Sequence, residues 1–311
     1  MEMLINLVLM SSSALLLWFG AVWIVDSAAA IARKFNLSEL TIGLTIVALG
    51  TSLPEFTVTV TASLRSMGDI ALSNVVGSNI FNLGIILGAV AIIRPIASNR
   101  TLIKRDGLFL LFLCALVLVM MHDLRLGRVS GFLLVFMFVS YNLWIFLRGA
   151  RVSIDLNTQE GRSTGPLVFL KLCAGFFMIA LGGHYMVDSA VMLAGIMGVS
   201  QWAVGVTVVA AGTSLPELVI CLVAVMKGKD EMLLGNLIGS DIFNFAGVLG
   251  LTCLINPITI SQTALPSMLT LLGMVTVVLI FMRTGFRVGR MEGFILIAIS
   301  LTRWTMDFNV F

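Results

Sequence analysis

Apolar residues occupy most of the chain in long runs that are separated by short polar segments. Ten of these runs approach or exceed the roughly 20 apolar residues that a membrane-spanning helix needs. They lie near residues 4–25, 38–64, 70–93, 106–121, 128–148, 166–188, 200–226, 231–255, 264–282 and 290–308. The pattern predicts an all-α polytopic membrane protein with ten transmembrane helices.

The chain repeats itself at an offset of 162 residues. The segment "GTSLPE" at 50–55 returns at 212–217, and "NVVGSNIFN" at 74–82 returns as "NLIGSDIFN" at 236–244. Without a gap, 25–96 aligns with 187–258, and 29 of the 72 aligned positions are identical. We interpret the chain as a duplicated five-span unit. The two copies are 1–148 and 166–311, and the polar segment 149–165 links them.

The odd number of spans in each copy has a topological consequence. After five crossings, the second copy enters the membrane from the side opposite to the first, so the sequence predicts two inverted five-helix repeats. Inverted repeats are typical of secondary transporters, which bind their substrates near the bilayer midplane on interrupted helices.

Composition and charge agree with a membrane protein. The chain is 59% hydrophobic and only 11% charged, whereas soluble domains carry about a quarter charged residues. Its net charge of +3 is too small to indicate a nucleic-acid partner. With ten spans, fifteen of the basic residues fall on one side and four on the other. The positive-inside rule then predicts a cytoplasmic linker, extracytoplasmic termini and an inner-membrane location.

The cysteine and histidine residues favour packing roles. All four cysteines lie inside predicted spans without a CxxC motif, so we expect reduced, buried side chains rather than disulfides or a zinc site. They are Cys114, Cys173, Cys221 and Cys253. His184 stands alone in an apolar segment and is also expected to pack. Asp26 and Asp188 lie near span ends, where pairing or capping at the interface is expected.

The "GTSLPE" segments place proline and glutamate within apolar spans. Pro54 and Pro216 cannot donate a backbone hydrogen bond, so each predicts a kink that frees carbonyl groups. Thr51 and Ser52 are expected to share a helix face with Glu55. An unpaired carboxylate at bilayer depth costs at least about 2.5–3.5 kcal/mol. Two carboxylates with hydroxyl and carbonyl oxygens suit Ca²⁺ or alkali ions rather than zinc or copper.

The second repeated segment adds neutral oxygen and nitrogen groups. Ser78 and Asn82 are four residues apart and share a helix face, as do their counterparts Ser240 and Asn244. Gly77 and Gly239 are expected to allow close helix approach. Helix packing or interhelical hydrogen bonding would explain one such segment. Duplication of both segments favours ion binding. The role of Asp241 stays open: it is either a ligand or a residue that supports the ligands.

These two motifs resemble the paired alpha repeats of the sodium/calcium exchanger superfamily, the calcium/cation antiporters, near 43–88 and 205–250. The resemblance covers nearly the whole chain and is to a short prokaryotic-type member without a regulatory domain. It implies Ca²⁺ binding by the two glutamates with the carbonyls of the motif threonines. These are Glu55, Glu217, Thr51 and Thr213. It implies sodium sites on four serines and two alanine carbonyls, and central polar positions on two asparagines. These are Ser52, Ser214, Ser78, Ser240, Ala48, Ala210, Asn82 and Asn244.

One departure from the superfamily concerns the central positions. Several relatives have an aspartate at one of them, whereas this chain has asparagine at both 82 and 244. Asparagine at both positions leaves the centre with one carboxylate fewer. Whether the protein binds a third sodium ion, requires potassium or couples to protons therefore stays open. The proton-coupled branch usually carries an asparagine-containing variant in place of Thr-Ser-Leu-Pro, so Ser52 and Ser214 favour sodium.

The sequence therefore predicts a Na⁺/Ca²⁺ antiporter that works by alternating access. Two carboxylates give a charge near −2, which one Ca²⁺ or two Na⁺ ions neutralise. We expect no covalent reaction, no cofactor, no obligatory protein partner and a monomer in the bilayer. The alternatives are a proton- or potassium-coupled Ca²⁺ exchanger, a cation channel, and an intramembrane hydrolase with Ser52 or Ser214 as nucleophile. No histidine or lysine base at matching depth supports the hydrolase.

Overall fold

The computed structural model of the chain describes residues 2–148, 165–196, 210–262 and 264–309. These residues form twelve α-helices and one short 3-10 helix, Met121–Asp123, as expected where lipid cannot satisfy backbone groups. The helices are α1 (Glu2–Lys34), α2 (Glu39–Thr51), α3 (Leu53–Leu64), α4 (Gly68–Ile93), α5 (Leu108–Met120), α6 (Arg128–Arg148), α7 (Pro166–Ile196), α8 (Ala210–Thr213), α9 (Leu215–Met226), α10 (Asp230–Ile255), α11 (Ala264–Arg283) and α12 (Arg290–Asn309). The predicted linker, apart from Gly165, and the first residues of the second motif, 205–209, lie outside the described residues.

Several helices contain a wider, π-helical turn. Such segments span Gly43–Val47 in α2, Phe81–Ile86 in α4 and Phe243–Leu249 in α10, and another, Leu102–Gly107, leads directly into α5. Within α4 and α10 they occur at equivalent positions of the repeat. Two of these turns contain Asn82 and Asn244. Because π-helical turns are rare and frequently accompany functional sites, they indicate a functional site in this part of α4 and α10.

Six of the described helices are long and apolar enough to cross a membrane: α1, α4, α6, α7, α10 and α11. Helices α2 and α3 meet the same criterion together as a pair bent by 48°. The shorter helix α9 coincides with the end of a predicted span whose earlier residues, 200–209, lie outside the described ranges. Helices α5 and α12 coincide with the two remaining predicted spans. The chain is thus a helical, polytopic membrane protein.

Four two-residue strands, which the all-α prediction did not include, lie in the connections between helices. They are β1 (Ile96–Ala97), β2 (Arg125–Leu126), β3 (Ile258–Thr259) and β4 (Arg287–Val288). Strand β1 pairs with β4, and β2 with β3, both antiparallel. Pairing satisfies the backbone groups of these extended connections. The offset of 162 residues relates β1 to β3 and β2 to β4, so each small sheet joins the two copies.

Helices α4 and α10, which are counterparts in the repeat, run in opposite directions. Arg94, just after the end of α4, pairs with Asp230 at the start of α10. At the opposite end, a Cβ atom placed on Gly68, the first residue of α4, would lie 2.2 Å from the carbonyl oxygen of Thr259, just after α10. Each helix therefore begins where the other ends.

Glycines allow the copies to pack closely against each other. A Cβ atom on Gly293 of α12 would lie 2.6 Å from the Gly88 carbonyl oxygen of α4. At the equivalent contact, a Cβ atom on Gly131 of α6 would lie 2.7 Å from the Gly250 carbonyl oxygen of α10. Small residues permit such close approach between membrane helices. In both cases a helix of one copy packs on a helix of the other.

Two packing predictions are wrong for helix α7. Cys114, Cys221 and Cys253 are buried, but Cys173 is exposed. The His184 side chain is also exposed, and its Nε2 atom lies 3.4 Å from Asp188. An apolar pattern cannot separate these positions, because side chains that face lipid and side chains that face protein are equally apolar in a membrane.

Candidate ion-binding site

The two "GTSLPE" segments interrupt their helices at the same residue. Ser52, with φ −88° and ψ 14°, separates α2 from α3, and Ser214, with φ −92° and ψ 7°, separates α8 from α9. Pro54 and Pro216 occupy the second position of the helix that follows, where a missing N–H is tolerated. The 48° bend between α2 and α3 confirms the predicted kink.

The two motif glutamates occupy the first turns of the helices that follow these breaks. Glu55 is the third residue of α3, and Glu217 is the third residue of α9. Their exposed fractions are 1% and 0%. The positive end of a helix dipole favours a carboxylate at its first turn. That field stabilises both groups, although burial removes them from water.

Each glutamate is held by the serine of the other motif. Ser52 Oγ donates to Glu217 Oε1 at 2.8 Å, and Ser214 Oγ donates to Glu55 Oε1 at 3.0 Å. Ser52 and Glu55, which the spacing predicts on one helix face, each contact the serine–glutamate pair of the other copy. The break at Ser52 turns the chain between the two residues, so the hydroxyl points across to the other copy.

The threonine and serine hydroxyls surround the same carboxylates. Thr51 and Thr213 interact with Glu217 and Glu55, respectively. Ser240 Oγ lies 3.4 Å from Glu217 Oε1 and 3.4 Å from Thr51 Oγ1. Its counterpart Ser78 is buried in α4 with 3% exposure. The predicted hydroxyl groups therefore lie on the broken helices or on the helices α4 and α10 beside them.

The two alanine carbonyls of the predicted sodium sites belong to Ala48 and Ala210. The Ala48 carbonyl accepts hydrogen bonds from the Ser52 N–H at 3.1 Å and from Thr51 Oγ1 at 3.2 Å. A cation at this oxygen would share it with those donors. Ala210 begins α8, and its side chain lies outside the described part of the structure.

Four amide or carboxyl side chains form a second, buried group between α4 and α10. Asn82 Nδ2 donates to Asp241 Oδ1 at 3.0 Å, and Asn244 Nδ2 donates to Asn79 Oδ1 at 2.8 Å. Asn79 Nδ2 also donates to the Asp241 carbonyl oxygen at 3.3 Å. The first two contacts are equivalent in the repeat. Residues 79 and 241 thus orient the central asparagine of the opposite copy.

Five buried oxygen atoms of these groups have no hydrogen-bond partner in the described part of the chain. They are Glu55 Oε2, Glu217 Oε2, Asn82 Oδ1, Asn244 Oδ1 and Asp241 Oδ2. A buried polar atom without a partner is costly, and such atoms call for a specific explanation. All five are acceptors, so a bound cation would satisfy them. Among the described residues, no three His, Cys, Asp or Glu side chains form a group that could hold one metal ion.

Sequence reasoning missed three asparagines that support the site. Asn74 Nδ2 donates to the Glu55 carbonyl oxygen at 3.2 Å and to Thr59 Oγ1 at 2.9 Å. Its counterpart Asn236 accepts from Thr51 Oγ1 at 3.3 Å. The third is Asn79. Asn74 and Asn236 precede the motif serines by four residues in the repeated segment, so helical spacing could have identified them.

Comparison with known proteins places the chain in a family. The sequence profile described as "Sodium/calcium exchanger protein" matches residues 5–147 and 167–300. The chain belongs to this family. The resemblance found in its two motifs is thereby confirmed. Because the relatives are exchangers rather than enzymes, the intramembrane hydrolase is set aside.

Relatives from bacteria and archaea match this exchanger over most of their length. The inner membrane protein YrbG of Escherichia coli is 35% identical over 264 residues, 82% of this chain and 81% of its own. The sodium/calcium exchanger MaX1 of Methanosarcina acetivorans is 31% identical, with 94% and 95% covered. The solved structure of the sodium-calcium exchanger NCX_Mj, soaked with zero Na⁺ and Ca²⁺, has a TM-score of 0.86. Its sequence is 30% identical, and 96% of this chain and 97% of that one are covered.

Proposed function

We propose that the protein is a secondary active antiporter that exchanges Na⁺ for Ca²⁺ at a site built on Glu55 and Glu217. The carrying observation is the crossed pair of contacts, in which each buried glutamate accepts a hydrogen bond from the serine of the other copy. Each carboxylate keeps one oxygen, Oε2, without a partner among the described residues. Family membership supports the choice of ions.

The chemistry of the groups suits Ca²⁺. Carboxylate, hydroxyl and carbonyl oxygens are its preferred ligands, and the ion needs six to eight of them. Glu55 and Glu217 would supply the charge, and the carbonyls of Thr51 and Thr213 would complete the site. Sodium would use Ser52, Ser214, Ser78 and Ser240 with the carbonyls of Ala48 and Ala210, while Asn82 and Asn244 occupy the centre.

Charge explains why exchange is favoured over leak at the glutamate pair. The two ionised glutamates carry −2, which is costly to move uncompensated through an occluded state. One Ca²⁺ or two Na⁺ ions neutralise this charge. A site that switches its access from one side of the membrane to the other only when it is neutral carries Na⁺ in one direction and Ca²⁺ in the other. This condition is what an antiporter requires and a channel does not.

We further infer ten transmembrane helices arranged as two inverted five-helix repeats, 1–148 and 166–311, joined by a cytoplasmic linker. The opposite directions of α4 and α10 support this arrangement. Substrate sites on interrupted helices at the interface of inverted repeats are typical of secondary transporters. Rocking of one group of helices against the other would expose the site alternately to each side of the cytoplasmic membrane, with both termini outside.

The decisive experiment measures Ca²⁺ uptake into vesicles containing the purified protein under imposed sodium, potassium or proton gradients. We expect an outward Na⁺ gradient to drive saturable uptake without potassium, in keeping with the Thr-Ser-Leu-Pro segments. Equal uptake driven by a proton gradient in sodium-free medium would favour the proton-coupled alternative. An absolute potassium requirement would favour potassium coupling. Ca²⁺ flux that needs no counter-ion would favour a channel.

A further inference from the structure

A cavity of about 820 Å³ lies between the segment that leads into α5 and the second half of α6. This volume is within the range of ligand-binding pockets, roughly 300–1,000 Å³. Three basic residues, Arg100, Lys104 and Arg105, line one part of it, whereas Phe109 and Phe136 line an apolar part. None of the described residues of the two repeated motifs lines it, so the cavity is separate from the proposed ion site.

The basic and apolar parts of the cavity lie at different depths. The basic residues precede α5, whereas Phe109 is the second residue of that helix. In α6, Trp144 lies close to the helix end, and Phe136 precedes it by eight residues, or about 12 Å along an ideal helix. Tryptophan is enriched at the membrane interface. The cavity therefore has a basic end beside the membrane surface and an apolar part farther into the bilayer.

The Arg105 guanidinium is held in place at the basic end. Its Nε donates to Asp106 Oδ1 at 2.6 Å, and its Nη2 donates to Asp106 Oδ2 at 3.0 Å. The Tyr141 hydroxyl donates to the same Oδ1 at 2.7 Å, and the Trp144 ring centroid lies 5.8 Å from Arg105 Cζ. Bidentate pairing fixes the orientation of a guanidinium. Arg105 therefore differs from the arginines at helix ends that extend freely into water.

The basic end of the cavity carries an excess of positive charge. Arg100 and Lys104 are exposed, and neither forms an ion pair with an acidic side chain of the described residues. Asp106 balances one charge, that of Arg105. Two positive charges thus remain beside an apolar space, an arrangement that matches a molecule with an anionic head and an apolar tail.

The second copy of the repeat shows that the fold does not require these basic residues. At the offset of 162 residues, all three positions are occupied by uncharged residues. These counterparts are Gln262, Pro266 and Ser267. Helices α11 and α12, which correspond to α5 and α6, form without the basic residues. The basic cluster therefore belongs to the first copy alone, on the side that the positive-inside rule predicts to be cytoplasmic.

We propose that this cavity binds one anionic phospholipid of the cytoplasmic leaflet. The phosphate group would lie against Arg100, Lys104 and Arg105, and an acyl chain would contact Phe136. The exposed fractions of Phe136 and Trp144 are 59% and 41%, so a lipid can enter the apolar part sideways from the bilayer. Basic pockets between transmembrane helices on the cytoplasmic side bind such headgroups.

Charge also decides between a lipid and a second copy of the chain. A symmetric dimer through this face would bring two basic clusters together, and like charges across an interface disfavour association. The choice of leaflet rests on the proposed orientation of the protein in the membrane. The site itself is independent of ion exchange, because it shares no residue with the proposed ion site.

The test is native mass spectrometry of the purified, full-length protein with equal amounts of phosphatidylglycerol and phosphatidylethanolamine that carry the same acyl chains. We expect one phosphatidylglycerol per chain to be retained under activation that removes phosphatidylethanolamine. Equal retention of both lipids, or retention of neither, would overturn the proposal. An excess of glycerol 3-phosphate, which lacks acyl chains, should not displace the lipid, and displacement would overturn the proposal in favour of a site for free phosphate.

Two double variants separate a defined site from general attraction by positive charge. Arg100→Gln/Lys104→Gln should bind phosphatidylglycerol roughly thirtyfold more weakly, since each basic side chain near an anionic lipid contributes about a fivefold change. The matched control is Arg283→Gln/Arg290→Gln. It removes the same charge from the same predicted side, at exposed residues that do not line the cavity. Equal weakening in both double variants would overturn the proposal.

A change of shape without a change of charge completes the test. Ser140 is exposed and lines the cavity, so Ser140→Trp should fill the space and abolish the retained phosphatidylglycerol, whereas Ser140→Ala should keep it. Unchanged retention in folded Ser140→Trp would overturn the proposal, as would a lipid-free wild-type dimer that Ser140→Trp dissociates. A wild-type protein that binds the lipid but fails to exchange Na⁺ for Ca²⁺ would contradict the antiporter and leave the lipid site standing.

Discussion

Ser52 Oγ donates a 2.8 Å hydrogen bond to Glu217 Oε1, although the two residues are separated by 165 positions in the chain. The equivalent contact, from Ser214 to Glu55, is 3.0 Å long. Each carboxylate is therefore oriented by the copy of the repeat that does not contain it. A relative movement of the two broken helices changes both carboxylates at once, which couples the geometry of the site to the arrangement of the copies.

The crossed contacts predict the effect of removing either serine hydroxyl. Ser52→Ala should weaken Ca²⁺ binding by roughly ten- to a hundredfold, because a hydrogen bond to a charged group is worth about 1.5–3 kcal/mol. Ser214→Ala should act equally through Glu55. Calcium titration of the purified variants measures the effect. Ser73→Ala in α4 is a matched control, since the Ser73 side chain is exposed and its hydroxyl donates to the local Ile70 carbonyl. Equal weakening there would contradict the role of the crossed contacts.

Removing one carboxylate charge should have a larger effect. Glu55→Gln keeps size and hydrogen bonding but leaves Ca²⁺ with half of its neutralising partner, so exchange should be abolished. Glu217→Gln should do the same because the residues are equivalent. Sodium-driven Ca²⁺ uptake in vesicles provides the measurement, with each variant checked for monodispersity.

Two milder changes serve as controls for the glutamate variants. Ser78→Ala should reduce uptake only partly, because water can replace a neutral ligand. Asp26→Asn should leave ion selectivity unchanged, since Asp26 is exposed and pairs with Lys227 at 2.5 Å. Near-normal exchange in both folded glutamate variants would show that the two-carboxylate site is wrong.

The sequence was sufficient to predict the helical membrane fold, the family and the break before Pro54, because these follow from local rules and repeated motifs. It was insufficient for the partners of Ser52, since a helix break redirects a side chain in a way that linear spacing does not encode. The burial of Cys173 and His184 was predicted wrongly, because apolar neighbours in the sequence do not reveal whether a side chain faces lipid or protein. The position of Asp241 opposite Asn82 depends on how α4 and α10 pack, which is a tertiary relationship.

Close packing between α2 and α10 predicts a sensitive glycine. A Cβ atom on Gly43 would lie 2.6 Å from the Met232 carbonyl oxygen, and the backbone cannot yield as a flexible side chain would. Gly43→Ala should therefore lower both the thermal unfolding temperature and Ca²⁺ uptake. Gly273→Ala is the matched control, because a Cβ atom there meets nothing within 4 Å among the described residues. Equal stability of the two variants would contradict the close approach.

The corresponding test on the second motif concerns Gly239, whose Cβ atom would lie 2.7 Å from the Leu44 carbonyl oxygen. We expect Gly239→Ala to behave like Gly43→Ala. The expectation that Gly77 has the same role stays a prediction. A Cβ atom on Gly77 meets nothing within 4 Å in the described residues, and 197–209, which align with the α2 region that Gly239 contacts, lie outside them.

The last prediction concerns the orientation of the two copies. His122 and Thr284 are counterparts at the offset of 162 residues, and both are exposed in connections between helices. Inverted repeats place them on opposite sides of the membrane, and the distribution of basic residues places His122 outside. In a cysteine-free background, His122→Cys should react with a membrane-impermeant maleimide in intact cells. Thr284→Cys should react only after permeabilisation. Labelling of both from the same side would contradict the inverted repeat, whereas reversed labelling would keep the repeat and place both termini in the cytoplasm.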